Sequence, residues 1–141
     1  MKNNNSPSKK SPLTSAERVL AVLFAVGFIL GILLSPLGVE TRMPELRSLA
    51  FAVFFIIVGI LIPLIGLVSV WLRKPRLAGA LAVIDAVLYF LIAPADQALF
   101  FFTIAPPLAV SVGEYILILV GIGYMLFGPR VFERNRTSRA P

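Results

Sequence analysis

Between Arg47 and Arg73 the chain runs for 25 residues, Ser48 to Leu72, without one charged side chain. At 1.5 Å of rise per residue a helix of that length exceeds the roughly 30 Å of a bilayer's hydrocarbon core. A segment in that core must satisfy its own backbone groups, and within one segment only a helix does so. The rest of the chain agrees with that solvent. Of its 141 residues, 58% are hydrophobic and 14% charged, against about 45–50% and about 25% in soluble domains.

Three further apolar runs follow the same logic, and each boundary has a local cause. Residues 1–13, rich in Asn, Ser, Pro and Lys, bury nothing and read as a disordered basic tail. Thr14 and Glu17 form a capping box, so a helix starts there. The first span covers residues 19–37. It is too long for the h-region of a signal peptide, and LLSPLGVE is a poor cleavage site, so the span is expected to be retained. Gly27, Gly31 and Ser35 recur at four-residue spacing, the small-residue pattern that lets helices approach closely in lipid.

The second span, 48–72, contains Pro63, whose ring would strike the carbonyl of Gly59, so a kink is expected there. Trp71 stands at its end, where an indole suits the headgroup level. After the basic turn of Arg73, Lys74, Pro75 and Arg76, the third span covers 77–93 and is expected to stop at Pro94. Residues 95–107, with Phe100, Phe101 and Phe102, read as a segment lying in the interface. Pro107 can open the fourth span, 108–127, which Gly128-Pro129 should end. Residues 130–141 form a basic tail. The expected architecture is an all-α, up-down bundle of four transmembrane helices, with residues 14–129 as its single domain.

Counting Lys and Arg near the span ends gives eleven on the side of the termini and two, Arg42 and Arg47, on the other. That asymmetry places both termini in the cytoplasm, with the plasma membrane the expected location. It also accounts for the +6 charge, so nucleic acid is not an expected partner. The chain has no Cys and no His. It therefore cannot build a disulfide, a thiol nucleophile, an imidazole-ligated haem, a Cys/His zinc site or a Ser-His-Asp triad, and no cofactor is expected.

Two carboxylates interrupt the apolar runs. Asp85 lies at the middle of LAGALAVIDAVLYFLIA, where a charge costs about 2.5–3.5 kcal/mol on insertion scales. Ala78, Ala82, Asp85, Ala86, Tyr89 and Ala93 share one helical face, which should turn toward protein, with Tyr89 as a hydroxyl partner one turn away. Glu114 falls in a seam of Ser111, Glu114, Ile118, Gly121, Met125 and Gly128 at alternating spacings of three and four. If the third and fourth helices are antiparallel neighbours, both acids can share one cavity, with Ser111, Tyr89 and Tyr115 nearby. No span carries a Lys, Arg or His to pair with them. Each acid is then protonated, paired with a cation from another subunit, or solvated in a cavity that admits protons or cations.

Three function classes survive. The first is a non-catalytic subunit or scaffold of a larger membrane complex, in which an acid meets a partner's basic residue. The second is an oligomeric transporter or channel using Asp85 and Glu114 for protons or cations. In outline the chain resembles small proton-coupled exporters, which also have four spans and an intramembrane carboxylate, but none of their motif residues is present. The third, an enzyme of the lipid phase with the acids as a general acid/base pair, lacks a nucleophile, a metal set and a phosphate-binding loop. The bilayer, and a partner subunit or a second copy of the chain, are the expected associations.

Overall fold

The computed structural model describes residues 12–41, 49–98 and 107–137, with the side chains of 35–41, 96 and 134–137 excepted. Helix α1 covers Ser15–Thr41. It begins at the expected capping box: the Thr14 amide donates to the Glu17 carboxylate at 2.8 Å and the Glu17 amide donates to the Thr14 hydroxyl at 3.3 Å. The second span is built of three pieces, α2 (Leu49–Ile56), a π-helical turn (Ile57–Leu61) and α3 (Ile62–Trp71). Helix α4 covers Pro75–Gln97 and α5 covers Leu108–Thr137. Among the described residues, four helical segments are long and apolar enough to cross a membrane: Ser15–Leu34, Leu49–Trp71, Pro75–Ala95 and Leu108–Glu133.

The kink expected at Pro63 takes the form of the π turn. Proline has no amide to offer the Gly59 carbonyl, and just upstream the Ile62 amide reaches back five residues to the Ile57 carbonyl. Widening the helix by one residue per turn makes room for the ring, as such bulges do.

Two expected helix ends lie further on. Pro94 does not stop α4, because a proline loses its amide but keeps its carbonyl; the Ala98 amide closes the next turn on Pro94 O at 2.9 Å. Pro129 does not stop α5 either. Beyond it Val131 is buried and Phe132 packs on Gly79, so tertiary contact carries the helix past the missing bond. Pro107 sits just before α5, its carbonyl accepting from Val110 and Ser111. The interfacial reading of 95–107 falls largely on 99–106, which lie outside the described residues.

The turn between α3 and α4 is a Schellman motif. The Lys74 amide bonds Ser69 O at 2.8 Å and the Arg73 amide bonds Val70 O at 3.1 Å. Its left-handed position, usually glycine, is held by Arg73 at φ 59°, which costs an ordinary residue about 1–2 kcal/mol.

The helices run up, down, up and down. Helix α1 packs against α3 and α5, and α4 packs against the same two, so α1 and α4 face each other across the diagonal. The α4–α5 interface is the most extensive, and small residues line it. A β-carbon on Gly79 would fall 2.6 Å from Gly128 O and 2.7 Å from Phe132 Cβ. Leu20, Phe24, Val58, Val70, Val120, Tyr124 and Val131 fill the space between the helices together with the α4 alanines.

Candidate functional site

The small-residue face of α4 turns inward as its spacing requires: Ala78, Ala82, Asp85, Ala86, Tyr89 and Ala93 are all buried. Helical periodicity places Asp85 among the alanines, and the bundle closes over it until none of its surface is exposed (0%). Among the described residues, neither carboxyl oxygen of Asp85 nor the hydroxyl of Tyr89 makes a hydrogen bond of good geometry. The carboxyl nevertheless lies within electrostatic reach of the Tyr89 and Tyr124 hydroxyls.

Tyr124 is the residue that sequence reading missed. Its hydroxyl donates to Leu23 O of α1 at 3.3 Å. Its ring packs on Phe24 with centroids 4.9 Å apart and on Tyr89 at 6.1 Å. Tyr89 and Tyr124 point their hydroxyls at one spot on α1, the α-carbon of Gly27. A β-carbon there would meet the Tyr124 oxygen at 3.0 Å, the Tyr89 oxygen at 3.1 Å and Pro63 Cβ at 3.7 Å. Gly27 thus provides the room for two phenols at the middle of the bundle, and the proline of the second span touches the same spot. One helix from each span contributes: α1 through Gly27 and Leu23, α3 through Pro63, α4 through Asp85 and Tyr89, and α5 through Tyr124.

The seam of α5 is displaced from the expected one. Glu114, Gly121 and Gly128 do face inward, but their companions are Val110, Leu117, Tyr124 and Val131. Met125 is 43% exposed and Ser111 and Ile118 lie at the edge. Spacings of three and four fit both sets, because they share three members and differ by one residue at the rest. The observed seam buries Tyr124, the largest side chain fully enclosed by the bundle, where the expected one would have placed Met125.

Glu114 and Asp85 do not share a cavity. The Glu114 carboxylate, 6% exposed, accepts a hydrogen bond from the side-chain amide of Gln97 on α4. Gln97 is twelve residues beyond Asp85, so the acids are separated by about 18 Å along the bundle. Tyr115 is 57% exposed and points away from both. Gly121 lies against the Phe90 ring and Tyr89 Cβ at ordinary contact distance, while Gly31 meets Gly59 backbone to backbone. Ser35, the third member of the expected small-residue face of α1, lies outside the described side chains.

Chemically, the central site offers one carboxyl group and two phenols in a dry, aromatic setting. Among the described residues no three His, Cys, Asp or Glu gather to hold a metal ion. The acid can hold or release a proton, and once ionised it can attract a cation. Comparison with protein families, with curated proteins and with solved structures finds no match to this chain.

Proposed function

We propose that this integral four-helix membrane protein is a proton-linked carrier of a monovalent cation, with Asp85 as the group for which proton and cation compete. The observation that carries the reading is the complete burial of Asp85 with, among the described residues, two phenols but no cationic side chain beside it and no hydrogen bond of good geometry to its oxygens. An ionised carboxylate so placed would cost several kcal/mol, roughly, so the closed bundle holds the acid neutral. Its charge is tolerable only when water or a cation reaches it. Proton release therefore favours an opened bundle and proton uptake favours the closed one, by differential affinity for the two states.

The surroundings supply a place for that opening. Pro63 and the π turn interrupt the helix that touches the Tyr89–Tyr124–Gly27 contact, and such interruptions are where membrane helices bend. Glu114, held by Gln97, has a positioning role near the opposite end of α4 and α5. No catalytic step is invoked. On this reading the termini face the cytoplasm, as the Lys and Arg distribution favours.

The test is proton release from purified protein in weakly buffered detergent solution on addition of Na+, K+ or the lipophilic cation tetraphenylphosphonium. About one proton per chain, absent in Asp85→Asn, is the expected result for the cation that competes. Release by none of these cations, or release unchanged in Asp85→Asn, overturns the reading.

A second reading, a non-catalytic subunit of a larger complex, draws on α2. Among the described residues that helix has none that is buried, and its Phe51, Phe54 and Phe55 form an aromatic cluster. Native mass spectrometry of protein extracted from its own cells separates the two: a stoichiometric partner chain supports the subunit, and the chain alone counts against it.

A further inference from the structure

At the bundle end that carries the first and last described residues, α1 and α3 part to leave a half-open cleft of about 280 Å³, lined by Leu13, Ala21, Leu67, Val70, Trp71 and Arg73. Ala21, Leu67 and Val70 belong to membrane-spanning segments and Trp71 is the last residue of its span, so the walls lie at hydrocarbon depth. Arg73 stands two residues past that end. The cleft is therefore apolar below and cationic at the mouth, across the level where hydrocarbon gives way to headgroups. Trp71, 80% exposed, marks that level.

The charge around the mouth is one-sided. Lys74 and Arg76 are exposed in the turn that carries Arg73, Arg18 is exposed on α1 next to Glu17, and Glu17, 3.7 Å from the Arg73 guanidinium, is the one acid described at this end of the two elements. The guanidinium is a planar fork of five donors suited to phosphate oxygens. Arg73 also occupies the left-handed position of the turn, where glycine would be unstrained. A strained backbone position held by a long cationic side chain directs attention to that side chain.

We infer that this cleft is a binding site for an anionic phospholipid of the adjacent leaflet, with one acyl chain between α1 and α3 and the phosphate on Arg73. The occupant follows from where the cleft lies, open to lipid at acyl depth, and from the excess of cations at its mouth. The inference does not depend on what Asp85 does.

Trp71 is the chain's single tryptophan and lines the cleft, so its fluorescence reports on the occupant. The protein is reconstituted in phosphatidylcholine vesicles containing either phosphatidylglycerol or phosphatidylcholine with brominated acyl chains, at equal bromine content. Bromine quenches the indole on contact. The expected result is that brominated phosphatidylglycerol occupies the quenching position about fivefold more readily, the factor one cation contributes at an anionic surface.

Three variants separate the site from diffuse attraction. Arg73→Gly relieves the turn and removes the cation, Ala21→Phe fills the cleft and leaves every charge, and Arg76→Gln removes a cation that does not line it. Loss of the preference in the first two with retention in the third supports the site. Equal quenching by both headgroups in the wild type, retention in Arg73→Gly or Ala21→Phe, or loss in Arg76→Gln overturns it.

Discussion

The carbonyl of Gly59 lies against the α-carbon of Gly31, so close that a β-carbon on Gly31 would stand 1.6 Å from the oxygen and 2.4 Å from its carbon. This contact joins α1 to the π turn ahead of Pro63. The absence of two side chains and the proline's missing amide meet there: the carbonyl that the Pro63 amide would have served in a regular helix is the one turned to Gly31. Contacts of this kind, Cα–H to carbonyl, recur at helix interfaces.

Gly31→Ala is accordingly expected to destabilise the protein by about 3 kcal/mol, the upper end of overpacking costs, because backbone must move. Gly27→Ala is expected to cost about 1 kcal/mol, since what it meets are the far ends of two tyrosines. Thermal unfolding of both variants in one detergent checks the order. Gly27→Ala falling as far as Gly31→Ala would show that the tyrosines cannot yield.

The two central phenols are expected to respond oppositely to loss of their hydroxyls. Tyr124 donates to Leu23 O at 3.3 Å, so Tyr124→Phe gives up a hydrogen bond and leaves a helix carbonyl poorer, at about 1 kcal/mol. The Tyr89 hydroxyl is buried and, among the described residues, makes no hydrogen bond of good geometry, so Tyr89→Phe removes a desolvated polar group and is expected to be neutral or slightly stabilising. Paired unfolding measurements decide it, and a larger loss in Tyr89→Phe would reveal a bond from Tyr89 to Asp85.

How far the sequence reached can be followed along α4 and α5. The inward face of α4 was legible because alanines and a carboxylate at helical spacing have only one comfortable orientation in lipid, and Asp85 stands where that argument puts it. The α5 seam was half legible. Glu114, Gly121 and Gly128 belong to two overlapping patterns, and the choice between them depended on Tyr124 finding room at Gly27, on a helix about a hundred positions earlier. The Gln97–Glu114 bond was hidden for a related reason. It needs α4 to run past Pro94, and helix continuation through a proline is decided by packing rather than by propensity.

The start of α1 offers a prediction independent of the central site. Thr14 and Glu17 cap the helix reciprocally, and the Glu17 carboxylate also lies 3.7 Å from Arg73. Thr14→Ala is expected to cost about 1 kcal/mol. Glu17→Ala should cost more, because it removes the cap and the link between α1 and the α3–α4 turn together. A double-mutant cycle of Glu17→Ala with Arg73→Gly isolates the pair, and a coupling indistinguishable from zero would leave Glu17 as a cap alone.

Asp85 provides the sharpest contrast, because charge state and shape can be separated there. If the closed bundle holds the acid neutral, Asp85→Asn replaces one neutral polar group with another of the same shape, and stability should change by less than about 1 kcal/mol. Asp85→Ala leaves a void beside Tyr89 and Tyr124 and should cost about 1–2 kcal/mol, the lower range of cavity penalties for a side chain smaller than leucine. Infrared spectra of the protein in bilayers supply the direct reading: the carbonyl stretch of a neutral carboxyl group, shielded from hydrogen–deuterium exchange by burial, is expected in the wild type and absent from Asp85→Asn. A wild-type spectrum with only ionised carboxylate bands would mean that a charge sits uncompensated at the centre of four apolar helices. Asp85→Asn would then stabilise the bundle by several kcal/mol, roughly the cost of burying that charge, and the two measurements together distinguish the cases.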